Sequence, residues 1–482
     1  MAAPVLPRST PTAEGIDPAA IASLVEAAER GRHGLHSLMV VRHGAVVAEG
    51  WWTPFAPDVR HLVHSVSKSF LSTAIGIAQE EGILSIDEPA VDFFPGVDGP
   101  RDVLLKHLLS MSGGHDADTM DLMRLLPGEH WPRIYFASPF IYPPGEHFVY
   151  DSGGSHLLSA ALQSRTGMPL PQFLEPRLFQ PLGLDTPPWA PSPGGVSLGG
   201  TGMSLLTEDI AVLAELYRRG GRWSDGDGGD RQLVPQAWVD EATRAHVDNG
   251  PSATVDWGLG YGYQFWRSRH GYRMDGAFGQ FGLVIPELDL VVAMTAGTAD
   301  SASELQLVWD HLLPGVDRAH GPAADGAGDD QLARRLGSLE LAAPEFLAAP
   351  PAAAARVSGR AIALPFTTLG IATATLHLDG DRTTLETVGT DGSVERLGAA
   401  RTAWVPGETR LWPHPELTST RTGTRAGWVD DAAFEVHEQC IESAARRIWR
   451  FEFGDGDDVR LTVGLDLPFW TPRTERVAGR LA

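Results

Sequence analysis

Cysteine is almost absent from this chain. Its 482 residues hold one, Cys440, so no intramolecular disulfide can form and a reducing compartment fits. Long apolar runs are missing as well, and no stretch is long enough to span a bilayer. The first ten residues, Met1-Ala-Ala-Pro-Val-Leu-Pro-Arg-Ser-Thr10, lack a basic segment followed by an apolar one. The sequence therefore predicts a cytoplasmic protein with no membrane association. Positive charge is short: 38 Lys and Arg face 61 Asp and Glu, a formal net charge of −23. That balance disfavours nucleic acid and anionic membranes as partners, because phosphate binding needs a basic surface. The 17 histidines show no H-E-x-x-H or other metal spacing, and no dinucleotide fingerprint follows a strand. The run Asp225-Gly-Asp-Gly-Gly-Asp230 carries Gln236 where a calcium loop needs glutamate, and it reads as a surface loop. No cofactor or metal is expected.

What remains is an ordinary globular composition, 43% hydrophobic and 21% charged, in a chain long enough for two domains. Leu38–Arg42 and Ala45–Ala48 flank His43-Gly44 and predict a β-hairpin. Residues 86–247 read as mainly helical, with amphipathic helices over Val103–Leu109 and Ile210–Tyr217. From Gly258 the pattern turns to strands, over Gly260–Trp266, Leu283–Ile285 and Leu288–Thr295, and Ser303–Leu313 reads as a closing helix. Strands at both ends with helices between them predict an α+β domain over 1–320. Residues 321–355 are rich in Ala, Pro and Gly and read as a linker, with room for a short helix at Gln331–Leu339. Beyond it, 356–482 shows alternating segments such as Ile371–Leu378 and Arg447–Phe453, separated by turns at Asp379-Gly380, Asp391-Gly392 and Gly454-Asp455-Gly456. That spacing predicts a small all-β domain, with Trp404, Trp412, Trp428, Trp449 and Trp470 as its own core.

The segment that carries chemistry is Ser65-Val66-Ser67-Lys68. On a helix, residues three apart share a face, so a helix beginning here sets the Ser65 hydroxyl beside the Lys68 ammonium. A serine hydroxyl needs a neighbouring base, and a buried lysine, pushed toward its neutral form, can be one. Free N–H groups at the helix start can stabilise an oxyanion. Alone, the motif is as well read as a cap with a solvated lysine. Its context argues otherwise: Phe70, Leu71, Ala74, Ile75, Ile77 and Ala78 fill a broad apolar arc, so the helix is largely buried. His64, next to Ser65, reads as wall or packing, since residues one apart do not face each other.

Two further segments stand out. Tyr142-Pro-Pro-Gly-Glu-His-Phe-Val-Tyr150-Asp-Ser152-Gly-Gly154 places a tyrosine after a tight turn and before a helix. A phenol near a lysine ammonium loses its proton more readily and can serve as base, then acid; the plainer reading is a half-buried tyrosine bonded to backbone. Met274-Asp-Gly276-Ala-Phe278-Gly-Gln280-Phe-Gly282 precedes a strong strand, and its glycines allow close backbone approach to a ligand or simply make a bulge.

Taken together, Ser65-x-x-Lys68, Tyr150-x-Ser152 and the Gly-rich strand trailing into Pro286-Glu287 resemble the serine β-lactamase and penicillin-binding-protein superfamily. The similarity is greatest to its class C-like branch, which holds the family VIII carboxylesterases and the 6-aminohexanoate-dimer hydrolases. Supporting segments are Gly82–Asp87, Leu105–Gly113, Phe173–Leu184 and Gly202–Asp209, so the resemblance spans residues 10 to 315. It implies a β-lactamase-like antiparallel sheet flanked by helices, with a mainly helical insert, and leaves the all-β domain outside. It also implies roles: Ser65 as acyl-forming nucleophile, Lys68 and Tyr150 in proton transfer, and the backbone N–H groups of Ser65 and Ala277 as the oxyanion hole. Ser152, Met274, Gly276, Phe278 and Gln280 are implied as substrate-binding or orienting residues.

The departures bear on substrate. The β-lactam enzymes of this branch carry Lys-Thr-Gly where this chain has Met274-Asp275-Gly276, and Asp275 would repel an anion. Arg273 sits next door, but strand alternation points it to the other face from Met274. The expectation is a cofactor-independent serine hydrolase acting on a small ester or linear amide. A D-amino-acid peptidase or β-lactam hydrolase is the alternative within enzymes, and a catalytically silent binding or scaffold protein is the alternative outside them. For the β-domain two roles are open: packing over or beside the cleft, or forming a homo-oligomer.

Overall fold

The computed structural model describes residues 5–126, 130–224, 229–250, 256–316, 327–342, 344–365, 367–409, 421–466 and 473–482. The expected hairpin forms, as Leu35–Arg42 and Ala45–Trp51, turned by His43 and Gly44 at φ 50° and 85°. It is one edge of a six-stranded antiparallel sheet. The order runs Ala45–Trp51, Leu35–Arg42, Leu290–Ala296, Gln280–Ile285, Tyr272–Gly276, Trp266–Arg267. The first and last long strands of the N-terminal domain thus pair, which closes the domain around the residues between them.

Side chains on a strand alternate between faces, and here both faces are buried. Met39 and Val41 join one core with Phe70, Leu71 and Ile75, whereas Leu38 and Val40 join the other with Ile21, Leu24 and Leu305. The helix Ser67–Glu80 lies in the first core, its residues Ser67 through Ala78 all buried. It is entered through a 3-10 turn, His64–Val66, and left at Gly82, φ 68°. The helices Pro18–Arg30 and Ser301–Leu307 cover the second face.

Two expectations need correction. Gly260–Trp266 is not a strand; only Trp266–Arg267 joins the sheet edge. Gly260 and Gln264 take positive φ, and the Gln264 amide donates to Leu108 and Leu109 carbonyls while accepting from the Ser155 hydroxyl, so the segment wraps the helical layer. The stretch expected to be a linker is also not a free spacer. Its helix runs Ala327–Leu336, and Leu332, Leu336 and Leu339 are buried against the sheet's second face.

The C-terminal region is a ten-stranded barrel. Neighbouring strands pair in antiparallel fashion from Val394–Ala400 round to Val405–Glu408, and a short parallel contact, Ala400 to Arg425, closes it. Trp428, Phe434, Trp449, Phe451, Phe453 and Leu461 fill the interior, beside a fully buried Arg447–Glu438 ion pair at 2.7 Å. Trp428 and Trp449 are core residues as expected. Trp404 instead faces the seam with the hydrolase domain, and Trp412 and Trp470 lie outside the described residues, as does most of the Asp225–Asp230 loop. The barrel docks beside the segment that leads into Ser65: Arg425 pairs with Glu340 at 2.7 Å, the Leu347 N–H donates to Trp428, and the Leu62 N–H donates to the Glu442 carbonyl at 2.7 Å.

Candidate active site

Ser65 sits in the 3-10 turn, held by local bonds. The Ser67 hydroxyl donates to the His64 carbonyl at 2.6 Å, and the Val63 N–H donates to Met203 at 3.0 Å. One helical turn on, Lys68 is 1% exposed. Its Nζ donates to Ser65 Oγ at 3.1 Å, Ser152 Oγ at 3.2 Å and the Gly200 carbonyl at 2.7 Å. Three acceptors match the three N–H bonds of an ammonium. They match a neutral amine equally well, with two N–H bonds donated and the lone pair turned to Ser65. A side chain at Gly200 would crowd this cluster, because a Cβ there would stand 3.1 Å from the Ser152 carbonyl and 3.3 Å from Lys68 Nζ.

Composition carries a signal here that the sequence analysis passed over. The chain has only two lysines, Lys68 and Lys106, every other basic side chain being arginine or histidine. Arginine cannot give up its proton in a protein, whereas a buried lysine can. Lys106 is a surface residue paired with Asp87.

Tyr150 lies across the site and lines the same cavity as Ser65, its ring 4.8 Å from Lys68 Nζ and stacked on Trp266 at 5.7 Å. The surroundings of this half-buried phenol oppose the easy ionisation expected of it. Burial, with the negative charges of Asp275 and Asp118, pushes the Tyr150 hydroxyl far above its ordinary range, and Lys68 addresses the ring face. The resting side chain is a protonated phenol.

Ser152 opens the Ser152–Thr166 helix through a reciprocal cap. Asp118 caps its own helix at Met120 and also accepts from the Ser152 and Gly153 N–H groups, while Asp151 accepts from Gly153 and from the Thr119 N–H and hydroxyl. Two helix N-termini thus share two carboxylates. Burial and the neighbouring Asp118 push the Asp151 carboxyl up to about 7.

The third segment divides by strand alternation. Gly276 and Ala277 line a cavity of about 410 Å³ together with Ser65, Tyr150, Asp275, Trp257, Trp266 and Ala299–Ala302. Gly276 lets the two walls close, since a Cβ there would stand 2.3 Å from the Val63 carbonyl. Met274 points the opposite way. It is fully buried beside Ile210 and Gly282 in the core, so the expectation that it contacts substrate is corrected. Gln280 is also fully buried, and its amide donates to the Ala277 and Ala296 carbonyls at 3.1 and 2.8 Å. It braces the turn and does not reach the cavity. Phe278, φ 71°, is 2% exposed and packs edge-on against His64. Arg273 lies on the cavity side with Asp275, as alternation requires, and its Nε donates to that carboxylate at 2.8 Å. The guanidinium lies 4.6 Å from the Trp257 ring and 5.7 Å from Trp266. Asp275 is thus balanced from behind, although burial holds its carboxyl above the usual range.

Sequence reasoning missed Asp118, Gly200, Trp257 and Trp266, which lie on four separate segments with no motif of their own. One Gly-x-Ser-x-Gly string does occur, Gly195–Gly199, but its Ser197 is buried in an irregular segment remote from any strand-to-helix elbow, and its carbonyl caps the Ser159 hydroxyl.

A Ser-Lys-Tyr cluster with a buried lysine, at a helix entrance beside an antiparallel sheet, defines a class of serine hydrolase, and comparison with known proteins agrees. The beta-lactamase family model matches residues 20–314, and the chain belongs to that family. It is 24% identical over 308 residues to 6-aminohexanoate-dimer hydrolase of Paenarthrobacter ureafaciens, covering 58% of this chain and 76% of that one. A D-aminopeptidase of Cereibacter sphaeroides is 26% identical over 162 residues, 30% of this chain and 31% of that one. A solved Bacillus anthracis structure described as a 6-aminohexanoate-dimer hydrolase superposes with TM-score 0.51 at 17% identity, covering 63% of this chain and 84% of that one. At that identity the superposition speaks for the fold.

Proposed function

We propose that this hydrolase cleaves small carboxylic esters or linear amides through an acyl-enzyme on Ser65. The observation that carries the reading is the buried Lys68 Nζ, in contact at once with Ser65, Ser152 and Gly200, which as a neutral amine donates to the latter two and turns its lone pair to the Ser65 hydroxyl. Ser65 Oγ attacks the substrate carbonyl while its proton moves to Lys68 Nζ. The N–H groups of Ser65 and Ala277 take the oxyanion, each such donor being worth about 3 kcal/mol of barrier. Tyr150, protonated and facing the same cavity as Ser65, relays the proton taken up by Lys68 to the departing alcohol or amine. Water then attacks the acyl-enzyme, releasing the carboxylic acid and restoring the Ser65 hydroxyl.

The cavity walls bear on the acyl group. Trp257, Trp266, Ala277, Ala299 and Ala302 offer apolar surface, and the only charges among the described lining residues are the carboxylates of Asp275 and Asp300. Hydrogen bonds from Ser303 lower the Asp300 carboxyl below its ordinary value, so it stays ionised at the mouth. That supports neutral or amine-bearing substrates over carboxylates and counts against β-lactams. It also favours, as a second reading, a peptidase acting on short amino-acid amides.

Intact-mass measurement after p-nitrophenyl butyrate or a fluorophosphonate, on wild type and Ser65→Ala, tests the proposal. An adduct and ester turnover, both lost in the variant, are expected. A folded wild type without an adduct would refute it and favour a silent binding protein.

A further inference from the structure

The barrel's turn at 441–445 is driven into the hydrolase domain. Glu442, Ser443, Ala444 and Ala445 are all buried, at 8%, 1%, 5% and 0% exposure. It is anchored from its own side: the Glu442 carboxylate accepts from the Arg421 N–H and Nε, and Ala445 accepts from the Cys440 N–H.

On the hydrolase side the turn meets two segments. The first is His61–Leu62, where the Leu62 N–H donates to Glu442 at 2.7 Å, three residues before the nucleophile. His61 bonds the Leu62 carbonyl through Nδ1 at 2.9 Å and His36 through Nε2 at 3.0 Å, and His36 stacks on Phe55. The second is Gly297. A methyl added there would lie 3.3 Å from the Ala444 carbonyl and 3.0 Å from His36 Nε2. Its neighbours hold the turn that follows Gly276: the Thr298 N–H donates to Phe278 at 3.2 Å, and Ala296 accepts from the Gln280 amide that also grips Ala277.

We infer that the barrel is a positioning element for the active site, with its 441–445 turn setting the two backbone segments that carry Ser65 and Ala277 at their working separation. The inference rests on the oxyanion roles proposed above for those residues. It gives the C-terminal domain a part in the chemistry from behind the site, with no barrel residue in the substrate cavity among those described. The physical reason is the tolerance of such a site. An oxyanion hole works only when its donors lie about 2.7–3.1 Å from the developing charge, and the turn adds a second brace from behind to the direct Gly276–Val63 and Phe278–His64 contacts between the two segments.

The test displaces the turn from each side in the full-length protein. Gly297→Val wedges the seam from the hydrolase, and Ala444→Asp places a carboxylate against it from the barrel. Phe451→Leu, deep in the barrel interior, is the control for lost stability alone. Below the melting transition of every variant, the two seam variants are expected to slow fluorophosphonate labelling of Ser65 and ester kcat about tenfold and to speed hydrogen exchange at Leu62–Ser65. Phe451→Leu should lower Tm and change neither. Wild-type labelling and exchange in both seam variants would overturn the inference. If wild type itself is not labelled, the hydrolase reading falls and the exchange data alone decide the positioning role: faster exchange in the seam variants upholds it, unchanged exchange refutes it.

Discussion

His64 and Phe278 meet edge to face, their ring centroids 4.8 Å apart. One immediately precedes Ser65, the other immediately follows Ala277, and both hold positive φ, 47° and 71°. Such backbone is uncommon for bulky side chains and persists only where surrounding contacts enforce it. The two rings hold each other in place, and under the oxyanion roles proposed above this contact sets the direction of the adjacent N–H groups.

Phe278→Ala removes that clamp. The expected outcome is a fall in kcat of about tenfold or more, smaller than the loss of a whole oxyanion donor, with KM changed less. Steady-state kinetics on a p-nitrophenyl ester check it, and an unchanged kcat in a folded variant would dismiss the clamp.

Lys68→Arg separates two meanings of the lysine. Arginine keeps the charge but cannot accept a proton. If Lys68 takes the Ser65 proton, Arg should slow acylation as severely as Lys68→Ala does, by about 10²–10⁴-fold. Labelling rates near wild type for Arg alone would make the side chain a fixed charge instead.

Tyr150 holds its proton well above the ordinary range, so the kcat profile should show no tyrosine ionisation below about pH 10, the unperturbed value. Tyr150→Phe should cost amides more than esters, because an amine needs its proton in order to leave. A pH–rate series on a matched ester and amide checks both statements, and a phenol titrating near neutrality would return Tyr150 to the role of base.

The Asp118–Asp151 cap makes stability depend on pH. Asp151 is raised from 3.8 to about 7 by burial beside Asp118, so between those values the folded state binds a proton that the unfolded chain has released. Stability from this group is fully present below about pH 4 and is lost as pH rises through about 7. Asp151→Asn keeps an acceptor for Thr119 and removes the titration. Urea unfolding at pH 5 and pH 8 should show wild type losing stability relative to the variant, and parallel behaviour would refute the assignment.

Much of this was legible in the residues. The hairpin at Leu35–Trp51 and the buried arc after Ser65 follow from local periodicity, which tertiary contacts left intact. The segment 260–266 was misread because an alternation of aromatics mimics a strand when the chain wraps a helical layer. Met274 and Gln280 were read as facing substrate because motif position says which strand a residue occupies. Whether its side chain then reaches the cavity depends on what packs behind that strand.

Residue order alone located the helix after Ser65, the lysine and tyrosine of the cluster, the family, and the division into an α+β domain and a β-rich one. These rest on short-range spacing and on burial patterns, which survive without knowledge of the fold. Tertiary packing alone set the surroundings of the Tyr150 phenol, paired Arg273 with Asp275, let Asp118 and Asp151 exchange caps, and brought the barrel's turn against the backbone leading to Ser65. Each of these joins residues from separate segments, and desolvation and contact across such distances are set by packing that no local pattern encodes.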